Sequence, residues 1–179
     1  MQHANTNGAG SGAAKDGAKN GAKDTGAVQE FVTVFVGETM FGLAINRVHD
    51  VFIPTGITPV PLAPPEIVGL LNLRGRVVTA ICLRRRLGMG AAAQAAAGAA
   101  TGMAIGLEQG GETFGLVVDG VGEVLKLGAE THEAVPINLD ARWRDLALGV
   151  HRLDGRLLVI LDVDGLLAFG SDRPATKAA

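Results

Sequence analysis

Residues 40–46 have the sequence MFGLAIN and residues 113–119 have the sequence TFGLVVD, so one motif occurs twice at an offset of 73 positions. A second match joins LRGR at 73–76 with LDGR at 153–156, now at an offset of 80. Two related motifs in the same order in both halves indicate an internal duplication. The drift in the offset places a longer connection in the second half.

The repeated unit is predicted to consist of short β-strands. Residues 31–36 (FVTVFV) are rich in β-branched and aromatic residues, which is the pattern of a strand. Further strands are predicted at 40–45, 48–53, 67–73 and 77–83, with a helical turn at 83–87. A unit of about 60 residues buries little surface alone, so two copies should pack together. Short strands with Gly-rich turns favour barrels. We therefore predict an all-β fold of two pseudo-repeated five-stranded β-barrels side by side, with short helical segments.

Composition divides the chain into a central domain and two tails. Residues 1–27 contain mainly Gly, Ala, Asn, Lys, Asp and Thr without hydrophobic periodicity, so we expect a disordered tail. The predicted organisation is a tail at 1–27, a domain at 28–170 with barrel halves at about 30–87 and 102–169, an Ala/Gly-rich connection at 88–101, and a tail at 171–179.

Charge and composition exclude several classes of function. The net charge is −2 and the aromatics are six Phe and one Trp, which disfavours nucleic-acid binding. No apolar stretch reaches about 18 residues, so we expect no membrane insertion. The N-terminus lacks the pattern of a secretory signal. One cysteine permits no internal disulfide, which fits a reducing compartment.

No constellation of reactive groups predicts catalysis. Cys82 lies in an apolar strand, where a small buried hydrophobe is expected rather than a nucleophile. Asp162 and Asp164 could share one face of a strand end as a carboxylate pair, but no third ligand accompanies them and a solvated strand end is favoured. The histidines share no metal-ligand spacing; they are His3, His49, His132 and His151. We therefore predict no enzymatic activity, no cofactor and no metal.

Four motifs together resemble one known family. They are FGLAINRVHDV at 41–51, IVGLLNLRG at 67–75, GLVVDGVGEV at 115–124 and DGRLLVILDV at 154–163. In this order they resemble the CheW family of chemotaxis coupling proteins, and the resemblance covers residues 30–169. Four ordered motifs are far more specific than any one of them.

The resemblance implies a fold of two five-stranded SH3-like barrels and the role of a non-catalytic adaptor. Its implied partners are the regulatory domain of a CheA-type histidine kinase and the cytoplasmic tip of methyl-accepting chemotaxis receptors. Its implied location is the cytoplasm, with recruitment to membrane-associated receptor arrays. The alternative is a diverged CheW-like regulatory or small-ligand-binding module in a second chemosensory system, such as one for twitching motility.

The resemblance also implies an interface. Val48 and Val121 are candidates for a groove between the barrels that accepts a receptor helix. Arg74 is the candidate polar anchor, because its planar fork suits carboxylate or carbonyl partners. Asn72 is expected to shape the turn, so the full candidate set is Val48, Asn72, Leu73, Arg74, Gly75 and Val121. The alternative for Arg74 is a solvated turn in which Gly75 supplies the positive φ.

Three positions depart from the family pattern. Met40 and Ala44 stand where family members often carry Glu or Asp, and Cys82 stands where they often carry Asp. An apolar group in place of a charge at Cys82 predicts altered partner contacts near the first barrel.

Overall fold

The computed structural model describes residues 28–90 and 102–169. The predicted tails, and residues 91–101 of the predicted connection, lie outside the described residues. The first half contains β1 (Gln29–Val36), β2 (Thr39–Ala44), β3 (Val48–Phe52), β4 (Ile67–Leu73), β5 (Arg76–Cys82) and helix α1 (Leu83–Arg86). The second contains β6 (Met103–Gln109), β7 (Glu112–Val118), β8 (Gly120–Leu127), β9 (His132–Glu133), α2 (Ala141–Arg144), β10 (Ala147–Leu153), β11 (Arg156–Leu161) and α3 (Val163–Leu167).

These strands form two sheets, and the all-β prediction is confirmed. Sheet A has the order β8-β1-β2-β11-β10-β9, and sheet B has the order β3-β6-β7-β5-β4. Sheet A has six strands rather than the predicted five, because the two-residue strand β9 pairs with the edge of β10. The remaining five strands of sheet A have the same arrangement as the five strands of sheet B.

The two sheets do not coincide with the two halves of the sequence. Sheet A joins β1 and β2 to strands of the second half, and sheet B joins β6 and β7 to β3, β4 and β5. The assignment of one barrel to residues 30–87 and the other to residues 102–169 is therefore corrected: the halves exchange their first two strands.

Parallel pairing explains why the exchange is possible. β2 pairs in parallel with β11, and β5 pairs in parallel with β7. A parallel pair cannot be joined by a tight turn and needs a long connection. Strands from opposite halves meet this requirement because the rest of the chain separates them.

One large hydrophobic core lies between the sheets. It contains Val34, Phe41 and Leu43 from sheet A and Ile81, Ile105 and Leu116 from sheet B, among other fully buried residues. Each sheet also has a small core of its own, with Leu158 and Ile160 in sheet A and Val78 and Ala80 in sheet B. The shared core makes the two barrels one hydrophobic unit.

Side chains close each barrel where the backbone ladders do not. β3 and β4 are the opposite edges of sheet B. Phe52 on β3 nevertheless packs against the small core that contains Leu71 of β4. The sheet is therefore strongly curved, and this curvature brings the start of β3 towards the turn between β4 and β5.

Candidate protein-interaction site

The β4–β5 turn carries four of the six predicted interface residues. Leu73 pairs with Arg76, so only Arg74 and Gly75 form the loop. Their φ angles are 55° and 85°, and a type I′ hairpin turn requires positive φ at both central positions. The Gly75 amide donates to Asn72 Oδ1 over 2.8 Å, which fixes the turn as predicted for Asn72.

Arg74 adopts a backbone conformation that is unfavourable for its residue type. Among the described residues, the non-glycine residues with positive φ are Leu62 and Arg74. The equivalent turn in the second half has positive φ only at Gly155, so a hairpin of this kind can form without an arginine in the left-handed region. Strain of this sort, held by the surrounding structure, is typical of functional positions.

Asp50 holds the Arg74 side chain. Arg74 Nη1 lies 3.0 Å from Asp50 Oδ2, and the other carboxylate oxygen accepts from the Val51 amide over 2.8 Å. The Arg74 side chain remains 78% exposed, so much of the guanidinium is accessible to a partner. Gly75 has positive φ, as in the alternative of a solvated turn, and Arg74 in addition forms this exposed ion pair. Nothing in the residue spacing had identified Asp50 as the ion-pair partner of Arg74.

The two candidate valines lie on equivalent edge strands of different sheets. Val48 begins β3 and pairs with Leu107, while Val121 lies on β8 and pairs with Val34. Both side chains are half-buried and pack against the shared core. The curvature of sheet B brings Val48, two residues before Asp50, towards the Arg74 turn, whereas Val121 belongs to sheet A.

An exposed apolar face beside Arg74 was not predicted. Leu70 and Val77 flank Asn72 on the outer side of the β4–β5 hairpin and are 37% and 67% exposed. Leu62 is fully exposed, and its φ is 62°. It occupies the third position of a turn in which Pro61 is the second residue. Gly or Asn is usual at such a position. Adjacent residues of a strand face opposite sides, so the pair Leu70-Leu71 was a signal in the sequence that one apolar side chain lies on the outer face.

Asp162 and Asp164 do not form a pair of carboxylates on a strand. β11 ends at Leu161, and Asp162 instead caps helix α3 by accepting from the Asp164 amide over 3.1 Å. Asp164 accepts two hydrogen bonds from the Arg47 guanidinium, at 2.9 and 2.7 Å. These bonds lower the pKa of Asp164 and raise that of Arg47.

The described residues contain no cluster of side chains suited to metal binding. Within residues 28–90 and 102–169, no three His, Cys, Asp or Glu side chains are placed to hold a metal ion. Cys82 is a buried free thiol on β5, as predicted. His151 is buried, and its Nδ1 lies 2.9 Å from Thr131 Oγ1. Burial lowers the pKa of His151, and the nearby His132 lowers it further.

Two surface cavities lie away from the predicted interface. One of ≈ 460 Å³ is lined by residues at the start of β1, the end of β2 and Lys126. The other, of ≈ 380 Å³, lies between α1 and α2 and is lined by Arg85, Arg86 and Arg142 with two acidic residues. Neither lining includes a candidate interface residue, so the alternative of a ligand-binding module gains no support here.

The comparison with known proteins identifies the family. Residues 30–169 match the family model of the CheW-like domain. The chain belongs to the CheW family. The chemotaxis protein CheW of Klebsiella aerogenes is 31% identical over 140 residues, covering 78% of this chain and 82% of the relative. That of Rhizobium meliloti is 29% identical over 142 residues, covering 79% and 89%.

A solved CheW structure has the same fold. The scaffolding protein TtCheW from Thermoanaerobacter tengcongensis superposes with a TM-score of 0.68 at 28% identity, covering 80% of this chain and 94% of that one. CheW-like proteins are a non-catalytic scaffold family in chemotaxis. In the described part of this CheW-family chain, no helix is both long and apolar enough to cross a bilayer.

The departures from the CheW pattern are accommodated in the barrels. Met40 and Ala44 are partly buried and pack against the small core of sheet A. Cys82 is 8% exposed at the end of β5. Apolar side chains suit these surroundings, because an unpaired carboxylate would be costly to bury there.

Proposed function

We propose that this protein is an adaptor that couples methyl-accepting chemotaxis receptors to a CheA-type histidine kinase. Membership of a chemotaxis scaffold family supports the general role. The observation that carries the proposal is Arg74, which is strained, exposed and oriented by Asp50. An exposed guanidinium at this turn can bind a carboxylate or carbonyl of a partner with its planar fork of donors.

In this proposal the receptor tip is bound as a helix. Val48 and Val121 begin two edge strands and cover the shared core only partly. An amphipathic helix can place aliphatic side chains against such half-buried valines and so complete their burial. Arg74 would then make the polar contact at the rim of the apolar surface.

The kinase regulatory domain is proposed to bind the outer face of the β4–β5 hairpin. Leu70 and Val77 expose apolar surface there, near the Arg74 turn, and Leu62 exposes more on the preceding loop. Aliphatic residues around an arginine are a composition suited to the centre of a protein interface. A partner with a related barrel fold would allow a pseudo-symmetric contact between similar surfaces.

The test measures the affinity of the full chain for both partners. Binding of a kinase regulatory domain and of a receptor-tip fragment is measured for wild type, for Arg74→Glu and for Arg152→Glu. Arg152 is the matched control, because it is an exposed arginine paired with a carboxylate on sheet A. We expect Arg74→Glu to weaken at least one partner by about tenfold or more, since a reversed charge meets the partner's acceptor.

The control variant and the wild type provide the results that could contradict the proposal. Arg152→Glu should bind within about twofold of wild type, as exposed ion pairs contribute little. Equal losses in both variants would remove Arg74 as the anchor. Failure of wild type to bind either partner at tens of micromolar would exclude the adaptor function itself.

A further inference from the structure

Two charged pairs of opposite polarity lie at the corresponding strand junctions of the two halves, although Asp119 aligns with Asn46, the neighbour of Arg47, at the offset of 73. In one, Arg84 of helix α1 pairs with Asp119, which lies between β7 and β8. In the other, Asp164 of helix α3 pairs with Arg47, which lies between β2 and β3. Asp164 follows Arg84 by the same 80 positions that relate β5 to β11. The helix thus supplies the cation in one pair and the anion in the other.

The Arg47–Asp164 pair joins three elements. Both terminal nitrogens of Arg47 donate to the two oxygens of Asp164, at 2.9 and 2.7 Å. Gln109 Nε2, at the end of β6, donates to Asp164 Oδ1 over 2.9 Å. A bidentate arrangement fixes the direction as well as the distance of the contact. The start of β3 is therefore tied both to α3 and to the β6–β7 hairpin.

The Arg84–Asp119 pair makes the equivalent connections. Arg84 Nη2 contacts Asp119 Oδ2, which also accepts from the Gly37 amide over 2.6 Å. The Asp119 amide in turn donates to the Phe35 carbonyl over 3.0 Å. Gly37 belongs to the β1–β2 turn, so the start of β8 is tied to α1 and to the β1–β2 hairpin.

Both pairs lie where the chain passes from one sheet to the other. After Arg47 the chain leaves sheet A and enters sheet B at Val48, and after Asp119 it leaves sheet B and enters sheet A just before Val121. Each pair connects two elements to the junction. One is the short helix that follows a strand of the sheet that the chain leaves, and the other is a hairpin of the sheet that the chain enters. The two valines therefore begin strands whose entry points are fixed by ion pairs.

We infer that Arg47–Asp164 and Arg84–Asp119 are positioning pairs that set the places of Val48 and Val121 for the receptor helix. The inference rests on the proposed receptor binding, but its structural half stands apart from it. A rigid-body shift at either entry point would move one valine relative to the other. A groove formed by two strands from different sheets needs such a constraint, since binding surfaces must be held to within a fraction of an ångström.

The natural chain indicates how the inference can be tested. Arg84 and Asp164 align at the offset of 80, so equivalent helices carry a cation in one half and an anion in the other. Arg47→Asp breaks one pair and places two carboxylates together, while Arg47→Asp with Asp164→Arg restores it with the polarity of the Arg84–Asp119 pair. Arg152→Asp is the matched control: it breaks a bidentate pair with Glu133, at 2.7 and 3.0 Å, that shares no residue with the two positioning pairs.

Two readouts are measured on the full chain: affinity for the receptor-tip fragment and amide hydrogen exchange of β3. We expect Arg47→Asp to weaken receptor binding and to accelerate β3 exchange by about fivefold each, the change expected from losing an ordered ion pair and adding a repulsion. The double variant should recover both values to within about twofold. Arg152→Asp should change neither.

The outcomes separate this inference from the proposed function. If wild type fails to bind the receptor tip, the adaptor function is lost, and β3 exchange alone still decides whether the pair positions the strand. If wild type binds but Arg47→Asp behaves as Arg152→Asp does, the positioning role is overturned. A folded double variant that recovers neither readout would also overturn it, because the charge pairing would then be irrelevant.

Discussion

Gly69 on β4 is a position where one added methyl group should loosen the candidate site. Its φ is 155°, and a Cβ there would collide with the backbone carbonyl of Thr58 and approach Ile57 Cγ2 to 2.7 Å. Thr58 and Leu70 exchange two backbone hydrogen bonds, of 2.7 and 2.8 Å. These bonds secure the proline-rich segment against the strand that leads to the Arg74 turn.

The cost of Gly69→Ala follows from these contacts. Losing the two hydrogen bonds costs about 0.5–1.5 kcal/mol each. Holding alanine at a φ suited to glycine adds about 1–2 kcal/mol. Together the free energy of unfolding should fall by about 2–5 kcal/mol, which for a domain of this size lowers Tm by roughly 5–20 °C.

Thermal unfolding followed by circular dichroism measures this effect. Gly56→Ala and Gly75→Ala are the controls, because both glycines have positive φ but an added Cβ would meet nothing within 4 Å. They carry the conformational cost without the collision. If Gly69→Ala melted within about 2 °C of Gly56→Ala, a difference below 1 kcal/mol, the backbone collision would be refuted as a source of instability.

Two further predictions concern pH and chain connectivity. Burial lowers the pKa of His151 from its usual 6.5, so the unfolded chain takes up a proton more readily than the folded one. The free energy of unfolding should therefore decrease as pH falls below about 6.5 and level off below the folded pKa; this slope should diminish in His151→Gln, and an unchanged slope would contradict the assignment. Cutting the chain between residues 90 and 102 should give fragments that lack β-sheet circular dichroism alone and regain it, with a shift of Trp143 fluorescence, on mixing. Cooperative melting of either isolated fragment would contradict the strand exchange.

The strands themselves were predictable from local pattern. β4 and β5 were expected at residues 67–73 and 77–83 and are found at Ile67–Leu73 and Arg76–Cys82. Alternation and β-branched composition are properties of a single strand, so one sequence suffices to detect them. The presence of a turn at Asn72–Gly75 was equally accessible, because Asn and Gly are residue types that favour turns.

The details of the site were not predictable in the same way. The contact between Asp50 and Arg74 depends on the curvature of sheet B, which brings opposite edges together. The positive φ of Arg74 contradicts the preference of its residue type, so local rules could only have argued against it. Functional and strained positions are where such rules are expected to fail.

The strand exchange was missed because a duplication has two ways to close. Each half could fold on itself, with β2 beside β5, or the halves could exchange strands as observed. Hydrophobic pattern cannot separate these arrangements, since equivalent strands carry equivalent apolar residues. The charges do separate them. If each half closed on itself, Arg84 would take the place of Asp164 beside Arg47, and two cations would meet. Asp164 would take the place of Arg84 beside Asp119, and two anions would meet.

Exchange converts both repulsions into the observed ion pairs, Arg84 with Asp119 and Arg47 with Asp164. Charge pairs at exposed sites add little to stability, but a choice between two closures with the same apolar contacts needs only a small difference in free energy. The opposite charges of Arg84 and Asp164, which align at the offset of 80, are thus a feature of the sequence that favours the exchanged fold over closure within each half. It is also the feature that ties the entry points of both edge strands, so the same four side chains serve the fold and the proposed interface.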